Sequence, residues 1–347
     1  MNMDEKLHFA DFSDRLLDWY ADAARDLPWR IGPAARANGV QPDPYRVWMA
    51  EVMLQQTTVP HAARYFQAFT QRWPYVDALA AAPDEDVMGA WAGLGYYARA
   101  RNLLKCAREV AELGTWPDTV EGLRALPGIG PYTAGAIAAL AFGRRAAAVD
   151  GNVDRVFARM MALSGEWKTE KTRLKGVVEM LVPEDRPAEF AEALMDLGAT
   201  ICTPRSPNCL ICPVRSYCLA QAEGAPERYP IKPKKTPKPH RSGHVYVLQG
   251  QDRTVLTERR PDRGLLGGMM GLPTSDWATE LGAADFPSEA TWEEVGEVRH
   301  VFTHFSLALK VWRAETEQVS PATPLKQAAD HLPSVFSKAL KLALDCV

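Results

Sequence analysis

Five prolines fall within fourteen residues, at positions 226, 230, 233, 237 and 239, and they interleave with Lys232, Lys234, Lys235 and Lys238. Proline fixes φ and has no backbone N–H to donate, so such a stretch joins neither a helix nor a central strand and reads as an extended linker. It divides the chain into two parts that must fold around separate cores. The length fits this division, since 347 residues exceed one ordinary domain and suit about two. With Arg228 and Arg241 set against Glu227, the stretch carries a net charge of +5. That suits a solvated tether and a phosphate-backbone contact equally.

Before the linker, from Leu7 to about Ala222, the sequence reads as helix after helix. Asp43-Pro44 sets a capping side chain before a first-turn proline and opens a helix through Tyr45, Trp48, Met49, Val52 and Met53, which share one face. Asp118, with Glu121 three residues on, reads as a capping box in which an acid replaces Ser or Thr. After the linker the period changes to two: residues 244–248 and 253–257 flank a Gln-Gly-Gln-Asp turn, and residues 298–312 alternate. Ser334 is expected to cap a terminal helix through Leu342. The expected organisation is an all-α region over 1–225, a linker over 226–242 and an α+β domain over 243–347.

A 47% hydrophobic and 24% charged composition is that of a globular protein and excludes a largely disordered or collagen-like chain. No run approaches the 18 apolar residues of a spanning helix. Asp4, Glu5, Asp11 and Asp14 stand where a signal peptide would be basic and then apolar, so a cytoplasmic protein is expected, with no membrane partner. The net charge of −3 does not mark a polyanion binder, and any nucleic-acid contact must use a local surface.

Of six cysteines, Cys106 and Cys346 stand alone, whereas Cys202, Cys209, Cys212 and Cys218 fall within seventeen residues as C-x6-C-x2-C-x5-C. In a reducing compartment thiols so close together point to a metal rather than to disulfides. Four thiolates suit tetrahedral zinc or a [4Fe–4S] cluster, and ligand count alone does not separate the two.

Three further segments carry chemistry. Leu126-Pro-Gly-Ile-Gly-Pro-Tyr-Thr-Ala-Gly135 has the form of a helix-hairpin-helix: the N–H groups of Gly128 and Gly130, with the positive end of the following helix dipole, suit a phosphate oxygen, although a plain interhelical turn would look similar. Glu51 is the only charged residue between Arg46 and Arg64, on a nearly apolar helix. Poor solvation raises such a carboxyl's pKa and lets it keep a proton to donate near neutrality. Gln55 and Gln56, just beyond it, have the amides to read a base edge. Asp150, in Val-Asp-Gly-Asn-Val, reads first as a turn residue, with Asn152 as an orienting partner. Two carboxylates near each other are the arrangement that breaks glycosidic bonds.

Together these motifs resemble the helix-hairpin-helix DNA glycosylase superfamily and, within it, the MutY family of adenine DNA glycosylases. The resemblance runs over nearly the whole chain. It is densest in Leu27-Pro-Trp-Arg30, Glu51-Val-Met-Leu-Gln-Gln-Thr57, Gly93-Leu-Gly-Tyr-Tyr-Ala-Arg99, the hairpin (118–143), Val149-Asp-Gly-Asn-Val153, Ala193-Leu-Met-Asp-Leu-Gly-Ala199 and the cysteine loop (202–218). It implies an all-α glycosylase region with a [4Fe–4S] cluster on the four cysteines, followed by a MutT-like (Nudix-like) α+β domain. It further implies excision of adenine from double-stranded DNA at pairs with 8-oxoguanine or guanine by a monomer that acts in the cytoplasm, on the nucleoid in a bacterium. By motif match Glu51 protonates the flipped adenine at N7 and helps activate water, while Asp150 stabilises the cationic sugar, directly or through a covalent intermediate. Arg30, Tyr132, Asn152 and Glu192 line the adenine pocket, Tyr96 wedges beside the lesion, Gln56 and Thr57 fill the vacated space, and Leu54 contacts the duplex.

Tyr132 stands where relatives resembling endonuclease III bear the lysine that forms a Schiff base. A phenol forms no imine, so base excision without strand cleavage is implied. In the second domain Phe302-Thr303-His304 aligns with the loop that contacts 8-oxoguanine, although strand alternation with Phe302 inward would look the same. Ser275, Leu281, Glu289 and Ala290 stand where the Nudix enzyme box needs Gly, Glu, Arg and Glu, so nucleotide hydrolysis is not expected. A pyrimidine-lesion or mismatch glycosylase and a noncatalytic iron–sulfur DNA-binding or electron-transfer module are the competing readings.

Overall fold

A computed structural model describes residue 9 and residues 11–231, 237–261, 265–302 and 304–345. Two compact units emerge: residues 1–87 with 99–233, and residues 88–98 with 234–347. The joint differs from the expected linker over 226–242. Pro226–Arg228 forms a single 3-10 turn, and the first strand begins at His240 rather than at 243. Past Pro239 no proline blocks pairing, and residues 240–242 join the sheet opposite Ser306, Leu307 and Ala308. The short segment 88–98 groups with the second unit, which its position in the sequence did not foretell.

In the first unit the helix Pro44–Leu54 is buried from Tyr45 to Met53 apart from Arg46. A helix apolar on all sides can be satisfied only in an interior. The helix Pro131–Phe142, buried from Thr133 to Ala141, packs against it and against Pro187–Asp196. Each large apolar chain fully buried here, such as Met53 or Phe157, contributes about 2 kcal/mol. Asp43 caps the first of these helices as expected, accepting from Tyr45 N at 2.9 Å. The capping box at Asp118 is not formed. Thr119, in the extended conformation a cap requires, accepts from Gly122 N at 3.1 Å, and Asp118 pairs with Arg144 instead.

The hairpin itself forms: Val120–Ala125, a tight turn, and Pro131–Phe142 with Gly130 as cap and Pro131 at its first position. Gly128 lies at φ +76° with its α-carbon against Asn102, where a Cβ would fall 2.7 Å from the Asn102 Cβ. Gly135 brings the second helix onto the chain that leads to Asp150: a Cβ there would stand 2.6 Å from the Ala147 carbonyl oxygen.

The second unit holds β1 (His240–Gly250), β2 (Thr254–Leu256), β3 (Glu258–Arg259), β4 (Met270–Gly271), β5 (Glu293–Val301), β6 (Ser306–Thr316) and β7 (Ala322–Pro324). Among the described residues the larger sheet has the order β5-β6-β1-β2-β7, and β3 pairs with β4 in a second. β1 and β6 run parallel over their full length, from His240 opposite Ser306 to Gly250 opposite Thr316. The terminal helix runs from Ser334 to Asp345, three residues past its expected end, and buries Val335, Phe336, Ala339, Leu340 and Ala343 in one core with Val245, Val247, Leu307, Leu309 and Val311. The opposite face carries His244, whose Nδ1 accepts from Trp312 Nε1 at 2.9 Å and whose Nε2 donates to the Gly282 carbonyl at 3.0 Å. No helix among the described residues is long and apolar enough to cross a membrane.

Because the Gly135 contact is backbone against backbone, Gly135→Ala should lower stability by about 1–3 kcal/mol. Thermal denaturation of the two proteins measures this, and equal midpoints would contradict the contact.

Candidate active site

Glu51 faces inward from the Pro44–Leu54 helix and is 6% exposed. Loss of solvation raises its pKa from 4.5 to about 7; a hydrogen bond from Tyr132 works against the shift, and the charge of Asp150 adds to it. Tyr132 stands at the second position of the hairpin's second helix. Burial and the two carboxylates push its hydroxyl well above the usual phenol range, so it remains a donor to Glu51. The two expected catalytic carboxyl groups and Tyr132, separate in sequence, therefore share one site.

Asp150 is the N-cap of the helix Gly151–Met160. Its Oδ1 accepts from Asn152 N at 2.9 Å and Val153 N at 2.8 Å, and its Oδ2 accepts from Asn152 Nδ2 at 2.9 Å. Three donors and a helix N-terminus hold a carboxylate rigidly and favour an anion there. The turn reading of Asp150 and the functional one thus describe the same geometry. Asn152 is oriented in turn by Arg155, which sequence reasoning missed: Arg155 Nη2 donates to Asn152 Oδ1 at 2.9 Å. A guanidinium only donates, so the amide oxygen must face it and the NH2 must face Asp150. Arg155 also donates to the Gly198 carbonyl at 2.6 Å and to the Cys202 carbonyl at 2.8 Å. Its position three residues after Asn152 on one helix was the available signal.

Arg30 and Glu192 come together near Glu51. Arg30 Nε lies 3.6 Å from Glu192 Oε1, and the Tyr20 hydroxyl donates to Glu192 Oε2 at 2.8 Å. At the edge of the site, Gln55 Nε2 donates to Thr133 Oγ1 at 3.3 Å, so this amide is engaged within the protein. Gln56 is exposed with φ 58°, Leu54 and Thr57 are half-buried, and the N–H groups of Gly128 and Gly130 have no hydrogen-bond acceptor among the described residues. Tyr96 belongs to the second unit and is 53% exposed, at φ 49°.

Cys202, Cys209, Cys212 and Cys218 line one cavity with Arg159, Arg215 and Pro207. Burial pushes the Cys212 thiol up to about 12 and Cys218 to about 11, so thiolates in this cavity need a cationic partner. Arg159, 1% exposed, reaches the Cys202 sulfur at 3.2 Å and the carbonyls of Cys202, Thr203 and Pro204. The donor set fits an iron–sulfur cluster, which the four cysteines would hold.

In the second unit Phe302 stacks on Trp277 at 6.0 Å and 21°, and the Arg260 guanidinium lies over Trp277 at 5.1 Å. Phe302 is thus half-buried against the core, as simple alternation implied, while His304 is exposed. Thr303 lies outside the described residues.

A helix-hairpin-helix beside a buried carboxyl group, a second carboxylate near it and four cysteines around one cavity are the parts of a base excision DNA glycosylase. Family models agree: the HhH-GPD superfamily of base excision DNA repair proteins matches residues 49–179, the iron–sulfur binding domain of endonuclease III matches 202–218, and the NUDIX domain matches 244–342. The chain is 35% identical to the human (Homo sapiens) adenine DNA glycosylase over 92% of its own length and 70% of that protein. The solved structure of a thermostable thymine-DNA glycosylase covers 63% of this chain and 98% of its own, with a TM-score of 0.55 and 28% identity. A non-covalent endonuclease III–DNA complex, at 22% identity and a TM-score of 0.52, covers 65% of this chain and 99% of its own and shares the fold. The chain belongs to the adenine DNA glycosylase family, and as such it is a base excision repair enzyme that removes adenine from DNA and carries a [4Fe–4S] cluster.

Two outcomes follow. Below pH 4.5 Glu51 is protonated whether folded or not, between there and about 7 only the folded state holds the proton, and above 7 the folded state bears the whole desolvation cost, on the order of 3 kcal/mol. Glu51→Gln should therefore melt above wild type at mildly alkaline pH, with the gap closing toward acid; a gap independent of pH would contradict the buried acid. Arg155→Met removes the support of Asn152 together with the donors to the Gly198 and Cys202 carbonyls, and at equal cluster absorbance it should slow single-turnover excision by about 10²-fold. An unchanged rate would mean that Asn152 holds Asp150 without it.

Proposed function

We propose that the protein excises adenine mispaired with 8-oxoguanine or guanine from double-stranded DNA and leaves the strand intact. The observation that carries this reading is Glu51, a buried carboxyl with a pKa of about 7, hydrogen-bonded by Tyr132 and close to the donor-held Asp150.

The adenine nucleotide must leave the stack, because its reacting atoms are inaccessible within it. Glu51 gives its proton to N7, the bond from sugar to N9 breaks with its electron pair passing to the base, and the ionised Glu51 activates the attacking water. Asp150 stabilises the cationic sugar that forms; its Oδ2, with only Asn152 Nδ2 as partner among the described residues, is the oxygen with lone pairs to spare. Tyr132 lacks the amine for an imine, which supports a monofunctional reaction. Arg30 and Glu192 line the adenine pocket.

Leu54, Gln56, Thr57 and Tyr96 occupy the duplex around the vacated position, and the unengaged amides of Gly128 and Gly130 take a phosphate. Phe302, Thr303 and His304 contact 8-oxoguanine. Cys202, Cys209, Cys212 and Cys218 ligate the cluster, which staples the end of the helical unit. The enzyme works as a monomer in the cytoplasm.

Single-turnover assays on duplexes carrying adenine opposite 8-oxoguanine, guanine and thymine test the reading. Excision is expected at the first two pairs and not at thymine. The rate should fall as pH rises through about 7, and Glu51→Gln should reduce it by roughly 10³-fold. Strand breaks should need alkali. Equal rates on all three duplexes would remove the assigned specificity, and full activity in Glu51→Gln would remove the assigned acid.

A further inference from the structure

The two motifs Leu27–Arg30 and Ala193–Ala199, far apart in sequence, meet at Asp196, a carboxylate with no exposed surface. Four donors saturate its two oxygens: Arg30 Nη1 on Oδ2 at 2.6 Å, Arg30 Nη2 on Oδ1 at 3.1 Å, Arg25 Nε on Oδ1 at 2.6 Å and the Arg25 backbone N–H on Oδ2 at 3.0 Å. Arg30, itself 5% exposed, is thereby gripped by both arms of its fork, while its Nε faces Glu192 at 3.6 Å. Glu192 receives a third cation, Arg36, at 3.3 Å. Three guanidinium groups thus face two carboxylates, leaving one positive charge over.

We propose that Asp196 is a positioning residue for adenine excision: its carboxylate fixes the Arg30 guanidinium beside Glu192 and takes up enough of its charge to set the field in which Glu51 holds its proton. The inference rests on the reading of Glu51 as the acid. A bidentate pair holds a guanidinium in one plane, which a single contact does not. The charged and titratable groups that face Glu51 are Tyr132 on the hairpin helix, Asp150 at its helix cap, Arg30 on the segment after the first helix and Glu192 on Pro187–Asp196. Of these Arg30 is the one cation, and it favours the ionised acid. Whatever neutralises Arg30 therefore keeps the acid protonated.

The two partners of Asp196 give a test with opposite signs. Asp196→Asn keeps the shape and removes the anion, so Arg30 acts on Glu51 with less compensation. Arg25→Gln removes a competing cation and leaves more of the Asp196 charge to Arg30. The cluster-loaded variants and wild type are compared by single-turnover excision at a series of pH values, with thermal melts alongside. The pH above which the rate falls should move down by roughly one unit in Asp196→Asn and upward in Arg25→Gln. The loss in Asp196→Asn should be about tenfold on the alkaline side of neutrality and small in acid. If Asp196→Asn does not fold, the upward shift in Arg25→Gln carries the test. A structural staple alone would slow both variants equally at every pH, and an unmoved profile in the variants that fold overturns the proposal. A wild type whose rate does not fall near neutrality would instead overturn the reading of Glu51 on which the proposal stands.

Discussion

The candidate site is built around one carboxyl group kept out of water. Glu51 sits on a helix that is apolar nearly all the way round, and such a helix has no stable place except an interior. Burial supplies the proton affinity, and everything placed around the side chain adjusts it. Tyr132 donates to the ionised form, Asp150 and Glu192 oppose ionisation, and Arg30 favours it. The hairpin, the cap at Asp150 and the segment before Arg30 are the means by which three distant stretches of chain bring those charges to one point. A group held this way destabilises the fold at neutral pH, a familiar trade between stability and activity.

Much of this was legible in the sequence because the signals were local. An isolated acid in an apolar run, a proline after a cap and two glycines in a hairpin each report on a few neighbouring residues. Asp43 caps where the sequence placed it. The cap at Asp118 was misplaced by one residue because Asp and Thr both suit an N-cap, and the choice fell to a tertiary partner, Arg144, that no local pattern contains. Arg155, Arg159 and Asp196 escaped notice for the same reason. Their roles are defined by what they meet across the fold: the Cys202 and Gly198 carbonyls, the Cys202 sulfur, and Arg25 with Arg30. A buried arginine looks like a surface one until its acceptors are known.

In the second unit the period-two pattern identified strands but not their neighbours. β1 pairs in parallel with β6, more than fifty residues later in the chain, and only antiparallel with the adjacent β2. The tip of the β5–β6 hairpin is braced from within: Phe302 closes the turn by donating to the Phe305 carbonyl at 2.8 Å and rests on Trp277, which in turn lies under Arg260. The inward-facing reading of Phe302 and its assignment to a contact loop are therefore compatible, since the ring is half-buried at the end of a strand.

The close approach of Gly135 to Ala147 ties together two tasks that a repair enzyme must perform on one nucleotide. The rod that begins at Pro131, directly after the amides suited to a phosphate, touches the chain three residues before the carboxylate suited to a sugar cation. With no side chain between them, the two cannot slide independently. Whatever engages the amides at the start of this rod is thereby held at a fixed distance from the Asp150 carboxylate, so the hairpin can act as a ruler as well as a handle.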